Sequence, residues 1–501
     1  MGKIKDLIDS PHPVYKNNYN CWNFLLNSYE GGKDYIGVDL VKSHQVFAGS
    51  SEIKGIQNEH LFRHTKETAK DYKSRIKMSY YYNFCAPIVD IYTSHLFKKP
   101  IISDWKGIDD IIDIRAENID RMGSSIDEFR KELIDISQIY GHCFVIVDAP
   151  YTELPIYSKL DKIEQDNYPY MVIKHPQDII NWSLDEFGKP YWVLIRESKD
   201  TNTDPFAYNK ENVEVYNYKL WMRDAWFLYD ADGVLQTSGT NQLGYVPIVP
   251  FYNKRSKKVQ NFLGVSVLAD IAFVARDVYN SCSELKQILR DQTFALLTIQ
   301  GKAKDFPEQQ VGTKRGLIYP IDSNQPAFIS PDAANAETYF KHITNQVSAM
   351  FRLAKLEGAS AKFNGQQGTQ QSGISKAYDF NETNQALSEK AMNMQDGEMK
   401  VWQIMADWES KKFEGSVAYD RDFNVQSLFE DLDEAEKAMK LEIGDEFEKE
   451  IKKTIIKKKF SRLPDEKLEE MVKDMETSQG QTAGGSLADR LTTQLTSDKT
   501  V

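Results

Sequence analysis

Apolar positions in this chain follow two periods, and the longer one dominates its second half. Over residues 264–292, Val265, Leu268, Ile271, Ala275, Val278, Cys282, Leu285 and Leu289 recur at steps of three and four, and the spacing predicts a helix there. Residues 332–356 carry the same period. A third, very long helix is predicted over 374–414. Its Leu387, Ala391, Met394, Glu398, Val401, Met405 and Trp408 form a heptad-like seam with one acidic interruption, Glu398. Between the second and third helices lies 357–373 (EGASAKFNGQQGTQQSG), with four glycines, four glutamines and only two charges. A flexible polar loop strung between two long helices is an odd thing to build into an ordinary enzyme.

Earlier in the chain the pattern is mixed. Tyr15, Tyr19, Trp22, Leu26 and Tyr29 share one helix face. Helices are expected over 65–83 and from Pro87, which suits a first turn because its missing N–H is not needed there. The second carries Ile88, Ile91, Tyr92, His95 and Leu96 on its apolar face, with Lys98 and Lys99 in its last turn. Residues 107–141 read as helical. Ser124 or Ser125 is the cap, Phe129, Leu133, Ile136 and Tyr140 face inward, and Gly141 is the stop. The apolar run 143–147 reads as a buried strand. Residues 170–174, 191–196, 213–222 and 226–229 are aromatic and β-rich, with turn signals at 186–188 and 230–233, and predict an antiparallel sheet. Residues 1–252 are expected to form an α+β domain, with 244–252 as its exit strand. Strand-like pieces recur at 294–299 and 317–320. Helical spacing returns over 423–460 and after Pro464, and 477–501 is rich in Ser, Thr, Gln and Gly and reads as a flexible tail.

Composition adds bounds. The chain has 501 residues, 41% hydrophobic and 27% charged, within the range of soluble globular proteins. No apolar run approaches the roughly 20 residues that span a bilayer, and 1–13 has no signal-peptide core. A net charge of −12 argues against a protein that grips nucleic acid over its whole surface. The four cysteines, Cys21, Cys85, Cys143 and Cys282, are widely spaced and read as buried small hydrophobes. Against that acidic background, residues 301–316 set Lys302, Lys304, Lys314 and Arg315 against Asp305 and Glu308. A solvated loop is the plainer reading of it.

A search for catalytic chemistry finds no P-loop, GxGxxG, GxSxG or zinc-type CxxC. His60 and His64 are spaced i, i+4 on an expected helix, but Glu59 precedes the first histidine, so the pattern is not HExxH, and a surface helix is expected. His142 and Cys143 are neighbours on an expected strand and so point to opposite faces. The acidic clusters Asp109–Asp110 and 430–436 read as solvated helix faces. No enzyme activity, cofactor or metal is expected.

The order of these parts resembles the portal (head-to-tail connector) proteins of tailed bacteriophages. The resemblance rests on four stretches: 118–150 (NIDRMGSSIDEFRKELIDISQIYGHCFVIVDAP), 246–282 (VPIVPFYNKRSKKVQNFLGVSVLADIAFVARDVYNSC) with its Tyr279–Asn280 pair, 372–379 (SGISKAYD) opening a long helix, and 419–476. It implies an α+β fold with an α+β wing (1–260), a two-helix stem (261–292 and 333–356) and a small clip (293–332). It further implies a channel loop (357–373), a long tunnel helix (374–414) and a helical crown region (415–476) before the tail. The implied function is a homo-oligomeric ring, normally a dodecamer, at one capsid vertex. Double-stranded DNA passes through it during packaging and ejection. It would dock the terminase large subunit, then head-completion or adaptor proteins, and would contact the major capsid protein and a scaffolding protein. It would assemble in the host cytoplasm, reside in the virion and make no membrane contact.

Under this reading Lys362, Phe363, Asn364, Gln366, Gln367, Gln370 and Gln371 face the channel. Their weak, exchangeable hydrogen bonds suit a surface that touches DNA without holding it, since each fixed phosphate contact adds salt-dependent affinity. Lys302, Lys304, Lys314 and Arg315 face the packaging and tail partners, where positive charge steers an acidic surface. The rival readings are another structural virion protein, a capsid or tail-adaptor component, and a metal-dependent nucleic-acid enzyme.

Overall fold

The computed structural model describes residues 2–37, 60–150, 158–199, 215–257, 262–293, 296–298, 327–329, 333–356, 373–421 and 423. Two compact units divide the chain, Met1–Phe423 and Asn424–Val501. All of the second lies outside the described residues, and with it the helical spacing expected beyond 423.

In chain order the first unit opens with α1 (Gly2–Asp9), α2 (Pro13–Glu30), α3 (Gly32–Ile36), α4 (Ala69–Met78) and α5 (Cys85–Leu96). Then come β1 (Ile102–Asp104), α6 (Asp109–Arg115), α7 (Ile126–Tyr140), β2 (His142–Asp148), α8 (Lys159–Glu164) and β3 (Tyr170–Lys174). A run of strands follows: β4 (Ile179–Leu184), β5 (Pro190–Lys199), β6 (Val215–Met222), β7 (Ala225–Tyr229), β8 (Leu235–Thr240) and β9 (Ile248–Tyr252). The last described elements are α9 (Ile271–Thr293), β10 (Leu296–Thr298), β11 (Ala327–Ile329), α10 (Ala333–Leu353), α11 (Gly373–Trp408) and β12 (Ser416–Ala418). The fold is α+β.

The strand block makes two sheets rather than the one expected. Strands β4 to β8 form an antiparallel meander of sequential neighbours. Its tight turns are set by Asp185 and Asp230, whose carboxylates accept backbone N–H groups, with Gly188 and Gly233 at positive φ. The exit strand β9 joins a separate three-stranded sheet, β3-β2-β9, with β2 in the middle.

That smaller sheet is the centre of the core, because β2 is buried on both faces from His142 to Val147. On one face Val145, Met171 and Phe251 meet α7 and α11 through Phe129, Leu133, Val401 and Trp402. On the other, His142 and Phe144 meet the rings of Trp22 from α2 and Phe262. Ser125 caps α7 in a reciprocal capping box with Glu128, and Gly141 at φ 89° ends it. All four residues expected on its inner face are buried. Gly141 also lies against Gly264, where a Cβ on either would fall within 3 Å of the other segment's backbone. Two glycines let the two segments cross.

Several helix bounds differ from the periodicity. α4 starts at Ala69 because the Thr68 hydroxyl accepts the Asp71 N–H. Residues 60–64 are not helical. The His60 ring stacks on Tyr35 at 4.4 Å and the Lys66 N–H donates to His64 Nδ1. α5 ends before Lys98 and Lys99, leaving His95 as the basic residue of its last turn. α9 starts at Ile271 rather than 264. The Val265 N–H donates to the Lys254 carbonyl and the Ser266 hydroxyl donates to the Gln138 and Ile139 carbonyls, which holds this segment off helical geometry. Of the cysteines, Cys85 and Cys143 are buried, Cys282 is half-buried and Cys21 is exposed, contrary to the expectation of four buried thiols.

Candidate functional site

Two constructions stand out in the first unit: a helical hairpin and a long helix locked across the core sheet. In the hairpin, α9 and α10 run antiparallel. The Tyr339 hydroxyl donates to Glu284 at 2.8 Å, while His342 and Gln346 reach Asp277 at 3.1 and 3.0 Å. Beyond the helix ends, β10 and β11 pair antiparallel, Leu296 opposite Ile329, so the chain goes out along α9 and comes back along α10. The base is rooted in the body. Tyr279 packs edge-on to Tyr35. Asn280 accepts the Phe62 N–H at 2.8 Å and donates to the His60 carbonyl at 2.9 Å. Beside it Arg75, paired with Glu67 at 2.8 Å, donates to the Ser283 hydroxyl.

Along α11 the heptad seam is the buried face. Leu387, Ala391, Met394, Val401 and Met405 are at most 2% exposed. The acidic interruption is the focus of a buried polar knot. Arg130 donates to Glu398 Oε1 at 2.9 Å from Nε and 2.6 Å from Nη2. Trp402 Nε1 donates to the same oxygen at 2.9 Å, and the Tyr419 hydroxyl donates to Oε2 at 2.8 Å. Arg130 also reaches Asp127 at 3.0 Å and Ser103 at 2.8 Å. Burial lowers the guanidinium's basicity, but Glu398 outweighs it and holds Arg130 above its ordinary value. This cluster ties α7, α11, β1 and the chain after α11 together. Lys390, two turns earlier, is fully buried. It donates to Asn253 and lies 4.8 Å from the Tyr92 ring centroid, and burial pulls its ammonium down to about 7 against the attraction of Glu389.

The chain that enters 357–372 is pinned where α10 ends. α10 closes in a Schellman turn. The Leu356 N–H donates to the Phe351 carbonyl and the Lys355 N–H to Arg352, with Lys355 at φ 54° and Phe351 and Leu356 both buried. The Tyr92 hydroxyl then takes the Ala354 carbonyl and the Thr383 hydroxyl takes that of Lys355. Thr383 is ten residues inside α11, so the helix continues about 15 Å past this anchor to Gly373. Residues 357–372 supply about 55 Å of extended chain, several times that span.

The sequence candidates for chemistry have structural roles here. His142 and Cys143 lie on opposite faces of β2. Burial lowers the imidazole to about 3 and drives the thiol well above its ordinary value, which leaves a neutral ring and a protonated sulfur rather than an activated thiol. Asp110 pairs with Lys411. Among the described residues no group of three or more His, Cys, Asp or Glu is placed to hold a metal, and no helix is long and apolar enough to cross a membrane.

Both sets of expected site residues fall outside the described residues. These are Lys362, Phe363, Asn364, Gln366, Gln367, Gln370 and Gln371 in the loop, and Lys302, Lys304, Lys314 and Arg315 between β10 and β11. What the sequence reading missed is the partner of Glu398. An acid on a buried seam demands a cation, which is the signal, but nothing in the spacing of 126–140 singles out Arg130. Lys390 gives no signal at all, since lysine beside a seam reads as solvated.

No family model and no curated protein matches this chain. Solved structures similar to it include two chains of gene transfer agent particles. A chain of the "Virion of native gene transfer agent (GTA) particle" is 11% identical with a TM-score of 0.38, the match covering 71% of this chain and 84% of that one. A chain of the "Neck of empty GTA particle computed with C6 symmetry" is 11% identical with a TM-score of 0.39, covering 71% and 85%. Neither likeness is close enough to carry a functional conclusion.

Proposed function

We propose that this chain is a structural, non-enzymatic subunit of a phage-like particle, a portal protein that forms a ring around a DNA channel at one capsid vertex. The observation that carries the reading is the path from Ile271 to Trp408. A helical hairpin leaves the α+β body and returns to it. The chain is pinned at residues 354–356, given a polar segment far longer than its span, and fed into a helix locked along the core sheet. A conduit needs this combination: a rigid wall fixed to a body, a projecting element for docking, and a near-neutral segment to meet a moving polyanion. Each tight phosphate contact would add salt-dependent affinity and slow transit.

On this reading residues 1–260 are the wing, 261–292 and 333–356 the stem, 293–332 the clip, 357–373 the channel loop, 374–414 the tunnel helix and 415–476 the crown region. Lys362 makes a transient phosphate contact, and Lys302, Lys304, Lys314 and Arg315 steer the terminase and later the adaptor proteins. The test is negative-stain microscopy of the purified full chain. End-on class averages should show a closed ring with a central hole. Particles that are only monomers or solid rods would end the portal reading.

A further inference from the structure

The stem base carries two aromatic surfaces on opposite flanks of α9. One is a ridge. Phe62 and Phe273 are 57% and 49% exposed, and the Arg276 guanidinium lies over both rings, 5.1 Å from each centroid. The other is a groove of about 400 Å³ between α9, α10 and the α4–α5 connection. Its rim holds Tyr80, Tyr82, Leu289 and Phe340, each 40–52% exposed. At 3.6 residues per turn, Phe273 and Leu289 lie about 160° apart around α9. The core and α10 occupy the arcs between them.

Charge follows the same division. Asp277, Glu284 and Asp291 recur every seventh residue on the ridge side and are exposed, the first two also bonded to α10, and Arg276 lies among the ridge rings, while exposed Lys286 lines the groove and Arg290 reaches Met78 beside it. Solvent-exposed aromatic rings of this number forgo considerable apolar burial. A protruding apolar edge bordered by acids on its α10 side and an apolar groove bordered by Lys286 complement one another in shape and, at those borders, in charge. Because they sit on opposite sides of one helix, a single chain cannot join them.

We infer that the ridge of one copy seats in the groove of the next, a head-to-tail joint made by Phe62, Phe273 and Arg276 against Tyr80, Leu289 and Phe340. Such a contact uses two different patches and repeats with each added subunit, closing into a ring when the rotation allows. It deepens the portal reading by giving the ring its subunit joint, and rests on it only for closure.

The experiment uses the full chain with Phe273→Glu (ridge) and Phe340→Glu (groove), followed by sedimentation and negative stain. Both side chains are half-exposed, and Phe273→Ser and Phe340→Ser serve if either glutamate variant misfolds by circular dichroism. Wild type should assemble, and each variant alone should be monomeric, with at least a tenfold rise in monomer fraction. An equimolar mixture should stop at heterodimers, because one joint pairs two intact surfaces and the next pairs two damaged ones. Variants that both form rings like wild type overturn the joint and leave the portal reading intact. Wild-type filaments that both variants abolish support the joint and overturn the closed ring. A wild type that stays monomeric, or a mixture that regains full rings, overturns the joint.

Discussion

The two longest amphipathic helices dispose of their apolar residues in opposite ways. Along α11 the seam from Leu387 to Met405 is buried by the chain's own sheet and helices. On α9 the apolar face is split. Ile271, Ala272, Ala275 and Val278 go inward, while Phe273 and Leu289 stay out, joined by Phe340 of α10. Fully burying such a side chain is worth about 1.5–3 kcal/mol, so α11 realises its burial within one chain and the stem leaves several kcal/mol unused. Polar chemistry diverges too. α11 carries a buried ion pair and a buried lysine, groups that specify a fixed seat, whereas the acids and the bases Lys286 and Arg290 of α9 are exposed. One helix is finished and the other awaits a surface.

The largest effect that would break the contrast comes from Glu398. Removing it leaves Arg130, whose side chain is 5% exposed, with only the exposed Asp127 carboxylate and the Ser103 hydroxyl, and leaves the Trp402 and Tyr419 donors unmet. Breaking a buried pair from one side costs about 3–5 kcal/mol. Glu398→Ala should lower the urea unfolding midpoint accordingly, and Arg130→Met with Glu398→Leu should recover most of the loss, since an apolar replacement of both partners is close to neutral. A loss under about 1 kcal/mol for the single variant would mean that water already solvates this site.

Next in size is Lys390. Its folded value of about 7 lies below the unfolded value of 10.5, so the unfolded chain binds more protons between them and stability rises with pH across that window. The burden is fully present below pH 7 and relieved as the pH approaches 10.5. Lys390→Met keeps the stem and drops the charge. It should stabilise by about 2–4 kcal/mol at pH 6, with the gain shrinking steadily toward pH 10. Urea midpoints at several pH values check this, and a pH-independent difference would place the ammonium in contact with water. His142 acts at the other end of the scale. Its depressed value, about 3, makes the core lose stability as the pH falls below the imidazole's usual 6.5.

How much of this was readable in advance depended on whether burial left a period behind. The α11 seam was legible residue by residue, because one continuous face meets one continuous surface. α7 was legible too, since Ser125, Glu128 and Gly141 write both ends into the local sequence. The strand β8 (LQTSGT) was not, because it is almost wholly exposed and has no apolar alternation to show. β4 (IINWSL) hid for the opposite reason, with Ile179 through Trp182 all buried and the register shifted by an irregularity. The start of α9 was misplaced because Val265 and Leu268 keep helical spacing while long-range hydrogen bonds to Lys254 and Gln138 hold the backbone open. The loop and clip residues stand out by composition and family resemblance rather than by period. The stem's two flanks could not be read at all, since which apolar residues stay outside depends on where the core lies.

The smallest expected effect is the most discriminating for the comparison. Phe273 is half-exposed and meets Phe24 at 5.2 Å, so Phe273→Ala gives up about half of a buried ring, and alanine's better helix propensity offsets part of what is lost. Arg276 keeps Phe24 and Phe62 under its guanidinium. The stability read from the urea midpoint should therefore fall by about 1 kcal/mol or less. A seam residue of α11 treated the same way, Leu387→Ala, should cost about 2–5 kcal/mol. If the two substitutions cost alike, Phe273 is already buried by its own chain, and α9 is as complete as α11.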